Sequence, residues 1–258
     1  MKSKLFEIIE EDTAYKPNLL LQTGIFTEDE HFGPLPIISK YFEPTFINTV
    51  EDARFWKDSY TGGFRGSLSL ARILGHKYEY ANALNFMPEF RKKLINPEVL
   101  FTDFADLFNK QFPLFVRPVS PFKEFSGNVY TKEKLQEEFD FLVQNKNVSP
   151  NIICSFCNPK ILGREWRTIF INNKYVSGSQ YMDEGELNIQ KEIPENVVEF
   201  AKEIAASDYF LNKFEFIIDV GEVEGRLALV EINGFETASF YGADLDLVYK
   251  TWAASFFD

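Results

Sequence analysis

Phe214-Glu215-Phe216-Ile217-Ile218-Asp219-Val220, followed after a short link by Arg226-Leu227-Ala228-Leu229-Val230-Glu231-Ile232-Asn233, is the stretch that decides the fold. Both runs are rich in branched and aromatic residues and alternate in character, so they read as the two strands of an antiparallel hairpin. Phe214, Phe216 and Ile218 take one face of the first strand, and Glu215, Ile217 and Asp219 the other; on the return strand Leu227, Leu229, Glu231 and Asn233 share a face. Acidic groups inside apolar strands are costly unless neutralised, and a hard divalent cation with oxygen ligands neutralises them well. Asp219, Glu231 and Asn233 are such an oxygen set, the plainer alternative being that Glu231 and Asn233 cap a strand end. The set closes only if Asp219 and Glu231 face one side, which requires an odd-length loop or a bulge, with Gly225 the residue expected to supply it. A three-residue loop, Val223-Glu224-Gly225, sets Asp219 opposite Leu229 and diagonal to Glu231, whereas a two-residue turn sends the carboxylates to opposite faces.

Upstream of the hairpin, the pattern predicts a strand over 112–117, a helix over 131–143 with Leu135, Phe139 and Leu142 on one face, and an apolar strand over 152–156. Two strands then flank an Asn172-Asn173 turn, and a helix opened by Pro194 turns Val197, Val198, Ala201, Ile204 and Ala205 inward. A helical tail starts near Asp244. The fold class is α+β, with an antiparallel sheet carrying the site. Residues 1–111 form an N-terminal α/β region with a strand at Asn18 to Gln22, turns at Pro34, Pro36 and Pro44, and short helices over 51–60 and 67–74 joined by the loop Thr61-Gly62-Gly63-Phe64-Arg65-Gly66; residues 112–258 form the region that carries the chemistry.

A net charge of −12 argues against a surface that neutralises nucleic-acid phosphates. With only two His, a His-centred hydrolase or His-rich metal site is disfavoured. The 45% hydrophobic content suits a packed core, yet no run approaches the roughly 18–20 apolar residues of a membrane span, and Glu7, Glu10 and Glu11 do not suit a signal segment. Cys154 and Cys157 are too close to staple anything large, so a reducing, cytoplasmic setting is expected.

Two further groupings suit a polyphosphate. Phe115-Val116-Arg117-Pro118, then Lys123, then Phe125-Ser126-Gly127-Asn128, places a cation at the end of a buried strand before a small-residue loop whose N–H groups can approach phosphate closely. In Glu165-Trp166-Arg167, alternation sends Glu165 and Arg167 to one face, where they either pair with each other or bring the Arg to a phosphoryl group in transfer.

In this order, with twelve residues from Asp219 to Glu231 and Asn233 two further on, the chain resembles the ATP-grasp superfamily over roughly residues 112 to 246. It looks most like a divergent phage and bacterial branch with F-V-R-P, K-x-F-x-G, E-W-R and E-x-N segments. The resemblance implies antiparallel sheets with flanking helices enclosing a nucleotide cleft. It implies that Arg117 takes the place of the usual phosphate-binding lysine, that Lys123, Ser126 and Gly127 cover the phosphates, that Ile153, Cys154, Ser155 and Phe156 form the hinge against adenine, and that Glu165 joins the nucleotide site. Arg167 and Lys123 are then the catalytic cations, and Asp219, Glu231 and Asn233 the ligands of Mg2+. The activity implied is ATP-dependent activation of a carboxylate as an acyl phosphate for attack by an amine, with a small molecule, a peptide or a protein terminus as acceptor. The usual upstream lysine has no equivalent, and Ser155 stands where many relatives have a hinge glutamate. These departures keep two other readings open, a kinase on the same nucleotide site and a nucleotide-binding adaptor without catalysis.

Three other signals have plainer readings. Cys154-Ser155-Phe156-Cys157 has the spacing of a redox or half-zinc motif, but lies in an apolar strand without a second ligand pair. Gly62-Gly63-Phe64-Arg65-Gly66-Ser67 lacks the Gly-Lys-Ser/Thr ending of a P-loop and reads as a surface turn that touches substrate at most. Tyr241, Asp244 and Asp246 either line a substrate pocket or, for the acids, cap and charge the start of the last helix.

Overall fold

A computed structural model describes residues 15–24, 34–49, 51–57, 62–75, 88–120, 124–146 and 148–257. Lys123, His31 and His76 lie outside the described residues. Three sheets organise these residues. The first is parallel, ordered β2-β1-β3, from Asn18–Gln22 (β1), Glu43–Ile47 (β2) and Gly63–Arg65 (β3). The second is a four-stranded antiparallel sheet ordered β4-β7-β5-β6, from Leu100–Asp103 (β4), Leu114–Pro118 (β5), Asn128–Tyr130 (β6) and Ile153–Cys157 (β7). The third is a five-stranded antiparallel sheet ordered β10-β9-β8-β11-β12, from Leu162–Ile171 (β8), Lys174–Asp183 (β9), Glu186–Gln190 (β10), Glu215–Val223 (β11) and Arg226–Gly234 (β12). The α+β, antiparallel architecture expected from the alternating strands is the one found.

Its hairpins follow from turn chemistry. Asn172-Asn173, Glu184-Gly185 and Glu224-Gly225 all take positive φ, which suits the twist of two-residue hairpin turns and favours Asn and Gly. The β11–β12 hairpin therefore closes on Glu224-Gly225, with Val223 opposite Arg226, not on the three-residue loop expected. The odd residue enters further along: Val220 pairs with Leu229 but Asp219 with Glu231, so Val230 is bulged out. This bulge turns Glu231 onto the Asp219 face and sends Leu227 and Leu229 to the opposite one, so the four return-strand residues do not share a face.

Helices cover the sheets with apolar stripes. The face of the large sheet bearing Phe170, Phe216, Ile218 and Val220 packs on Val197, Ala201 and Ile204 of the helix Glu195–Ala205, whose 3.6-residue spacing is legible in the sequence. The opposite face, with Ile169, Ile171 and Ile217, meets Val248, Tyr249 and Trp252 of the C-terminal helix Leu245–Ala254, together with Leu19 and Leu21 of β1. The helix Lys132–Asn145 seats Leu135 and Leu142 on Val116, Cys154 and Phe156 behind the small sheet.

Elements upstream of Phe112 are not a separate layer. β4 pairs with β7 inside the small sheet, and β1 shares a core with the large one, so a boundary at 111/112 cuts through both. Two local expectations are corrected as well. Pro34 and Pro36 open a helix, Leu35–Tyr41, and Pro44 lies inside β2. Gly63 to Arg65, read as part of a surface turn, is the buried strand β3, because Gly63 lies flat against Trp252: a Cβ there would meet Trp252 Cζ2 at 2.4 Å.

Candidate active site

Alternation along β5 and β7 divides their side chains between two environments. Val116, Cys154 and Phe156 enter the core behind the small sheet, whereas Phe115, Arg117, Ser155 and Cys157 line a cavity of about 170 Å³ between this sheet, the start of β8 and the bulged part of β12. The far wall is Leu229, Val230 and Leu162, and the segment Leu94 to Val99 closes one side. Of the expected hinge residues, then, Ser155 faces the cavity, while the Cys154 and Phe156 side chains point away from it. The chain crosses from the small sheet to the large one immediately afterwards, through Asn158 and Lys160, which also line the cavity. The cavity is mainly apolar, the surface an aromatic heterocycle fills favourably.

At its mouth Arg117 reaches across the cleft: Nη2 lies 3.6 Å from Glu231 Oε1. Gly127 sits over the same side chain, and a Cβ there would be 3.0 Å from Phe115 Cζ and 3.1 Å from Arg117 Cβ. Ser126 is exposed beside it.

Behind Glu231 lies a tightly knit polar cluster. Asp219, 1% exposed, accepts two parallel hydrogen bonds from Arg167, Nε to Oδ1 at 2.9 Å and Nη2 to Oδ2 at 2.7 Å, and a third from Asn233 Nδ2 to Oδ2 at 2.9 Å. Arg167 Nη1 donates to the Ser239 carbonyl at 2.8 Å. Its guanidinium lies over Tyr181, 5.3 Å from the ring centroid, and over Tyr241 at 4.9 Å, and these two rings stack on each other at 4.9 Å. Burial alone would push the Arg167 pKa down, but the paired Asp219 carboxylate outweighs it and holds the pKa above its ordinary value. Glu165 does not pair with Arg167. It accepts a 2.7 Å hydrogen bond from the Tyr181 hydroxyl, and burial, reinforced by Asp219 and Glu231, raises its pKa.

The donors suit a hard divalent cation. Asp219 and Glu231 sit directly opposite on the ladder, Asn233 bonds to Asp219, and all three offer oxygen. Among the described residues no three His, Cys, Asp or Glu side chains converge, so these two carboxylates and the amide could hold a cation only together with oxygens from a substrate. Sequence reading had no signal for Tyr181 or for the Ser239 carbonyl, which act through cross-strand and loop packing. Leu94 to Val99 lie outside any motif. Asp244 and Asp246 resolve to the plainer reading: Asp244 Oδ1 caps the last helix by accepting from Leu247 N–H, and Asp246 pairs with Lys40 at 2.8 Å.

A model of the R2K clade family 2 ATP-grasp domain matches residues 95–251, more than half of the chain. The chain belongs to the ATP-grasp family. This ATP-grasp protein is similar in fold to D-alanine–D-alanine ligase from Bacillus anthracis complexed with ATP (TM-score 0.54, 15% identity, 85% of this chain and 86% of that one). It is likewise similar to the D-cycloserine synthetase DcsG (TM-score 0.57, 11% identity, 93% and 99%) and to an L-amino acid ligase from Bacillus licheniformis (TM-score 0.52, 13% identity, 86% and 69%). At such identities the likeness is one of fold. No curated protein matches in sequence. Among the described residues of this ATP-grasp protein, no helix is long and apolar enough to cross a membrane.

Proposed function

We propose that the protein is an ATP- and Mg2+-dependent ligase that activates a carboxylate as an acyl phosphate for attack by an amine. One observation carries this reading: an apolar cleft opens directly onto a cation, Arg117, facing paired acidic strands that hold Asp219, Glu231 and Asn233. Each part suits one part of a nucleoside triphosphate, the cavity the base, Arg117 the phosphates, and the oxygen set the cation that travels with them. When bound, Mg2+ would offset the negative charge that develops during phosphoryl transfer.

The chain's own residues supply position and field. Arg117, poised 3.6 Å from Glu231, can exchange that contact for a phosphate oxygen at small cost, since a long, partly exposed pair is worth little. Arg167 has a different role from the one expected of a catalytic cation. Its forked contact with Asp219, its bond to Ser239 and the covering rings commit it to orienting Asp219, so it fixes a metal ligand and leaves the phosphoryl group to Arg117 and Lys123. Fixing the ligands beforehand lowers the reorganisation needed in the transition state. The ligase resemblance in fold, and acceptors that are small molecules, peptides or protein termini, are consistent with this site.

The test is turnover with pools of carboxylates and amines. A ligase releases ADP and inorganic phosphate only when both partners are present, and Glu231→Gln abolishes that release. Phosphate retained on one partner instead identifies a kinase, and ADP binding without turnover on any pool identifies an adaptor.

A further inference from the structure

The segment from Leu94 to Val99 is a strap laid along the edge of the large sheet. Leu94 forms a parallel bridge to Leu229, the Ile95 N–H donates to the Leu229 carbonyl at 3.3 Å, and Arg226 Nη2 donates to the carbonyls of Leu94 at 3.1 Å and Ile95 at 2.9 Å. A segment pinned in this way presents its next residue in a fixed place, and that residue, Asn96, lines the cavity. The Asn96 amide is itself held by the strap. Its Oδ1 accepts the Glu98 N–H at 3.0 Å. With the oxygen committed to the strap, the amide nitrogen, with two N–H groups to donate, is the ligand-side group.

The other polar groups around the cavity have other engagements. Ser155 Oγ is turned to the Arg117 carbonyl, Lys160 pairs with Glu224 at 2.7 Å, Arg117 faces Glu231, and Asn158 is exposed. We infer that Asn96 determines base specificity, donating an N–H to purine N1, which is a bare acceptor in adenine and carries a hydrogen in hypoxanthine and guanine, so that the cavity selects adenine over the other two. A base whose facing ring nitrogen is protonated meets this amide donor to donor, and a buried donor left unpaired is what makes such selection steep. The inference rests on the proposed nucleotide reading and adds to it a residue that lies in no recognised motif.

Calorimetric titration with ADP and IDP tests it, since the two differ at the edge in question. The wild-type protein is expected to bind ADP about 10-fold tighter than IDP or better. Asn96→Asp keeps the size of the side chain and the acceptor for Glu98 N–H but replaces the donor by an acceptor; it should weaken ADP about 10-fold and bring the ADP-to-IDP ratio to one or below. Asn96→Ala, which leaves the Arg226 anchor intact, should lower the ratio towards one and covers the case in which the Asp variant does not fold. Asn212→Asp, at an exposed position away from the cavity, is the control and should leave the ratio unchanged. A wild-type ratio retained in both Asn96 variants overturns the inference while leaving the nucleotide reading in place; a wild-type protein that binds neither nucleotide overturns both.

Discussion

Arg167 and Glu231 separate two ways in which a charged side chain serves a site. Asp219 is almost wholly buried and depends on the Arg167 fork for neutralisation, so Arg167→Ala leaves an unpaired interior charge and is expected to cost about 3–5 kcal/mol in denaturant unfolding. Glu231 is partly exposed and its contact with Arg117 is long, so Glu231→Gln should change stability by less than about 1 kcal/mol while reducing turnover about 100-fold or more. Equal losses of stability in the two variants would contradict this division. The two cysteines make a second pair of opposites. Burial pushes the Cys154 thiol up to about 12 and keeps it inert behind the small sheet, whereas Cys157, also raised by burial but eased by Asn96 and Lys160, lines the cavity. Alkylation followed by mass spectrometry should modify Cys157 alone, faster as pH rises, and saturating ATP should suppress it; modification indifferent to ATP would place the nucleotide elsewhere.

Elements acquire their function here through register. The alternating pattern of Phe214 to Asn233 shows two strands and three oxygen-bearing side chains, but not the residue at which the ladder slips. Gly225 is the obvious place in the sequence, because glycine accepts the positive φ of a turn. The slip occurs at Val230, which carries no bulge signature, because a bulge is fixed by what packs on either face: Leu229 must reach the Trp166 and Val220 side while Glu231 reaches Asp219. For the same reason Glu165 and Arg167 were legible as neighbours on one face, whereas their separate partners, Tyr181 and Asp219, come from the strands on either side. The C-terminal helix is fastened to β11 by Trp252 Nε1, which donates to Glu215 Oε1 at 3.0 Å. Burial is the main cause that raises the Glu215 pKa above its ordinary value of 4.5, so the native state holds that proton more tightly than the unfolded chain. Its contribution to stability is complete below about 4.5 and is lost as pH climbs through the raised native value. Glu215→Gln keeps an acceptor for Trp252 and removes the titration, so its stability relative to wild type should rise with pH from about 4.5 upwards and then level off. A pH-independent difference in melting temperature would refute this assignment.

At the scale of the molecule, the sequence conveyed the antiparallel α+β fold and the order of the ATP-grasp segments, because both rest on local alternation and spacing. It did not convey how the N-terminal residues join in. β1 and β3 meet the large sheet through Trp252 and Ile217, β4 completes the small sheet, and Leu94 to Val99 wall the cavity, contacts between residues more than 100 positions apart in several cases. Arg65 shows why such roles escape local patterns: its guanidinium donates to the carbonyls of Phe235 and Ala238, bracing the loop that offers Ser239 to Arg167, yet in sequence it is one cation in a glycine-rich stretch. The central claim is that the two antiparallel sheets grip a single Mg2+-nucleotide between them. A crystal structure with Mg2+ and a non-hydrolysable ATP analogue tests it most directly. The expected result places the base against Phe115 and Leu229, the phosphates at Arg117, and the cation at about 2.1 Å from oxygens of Asp219, Glu231 and Asn233. A nucleotide bound outside this cleft, or a cation that leaves Glu231 paired with Arg117, would contradict it.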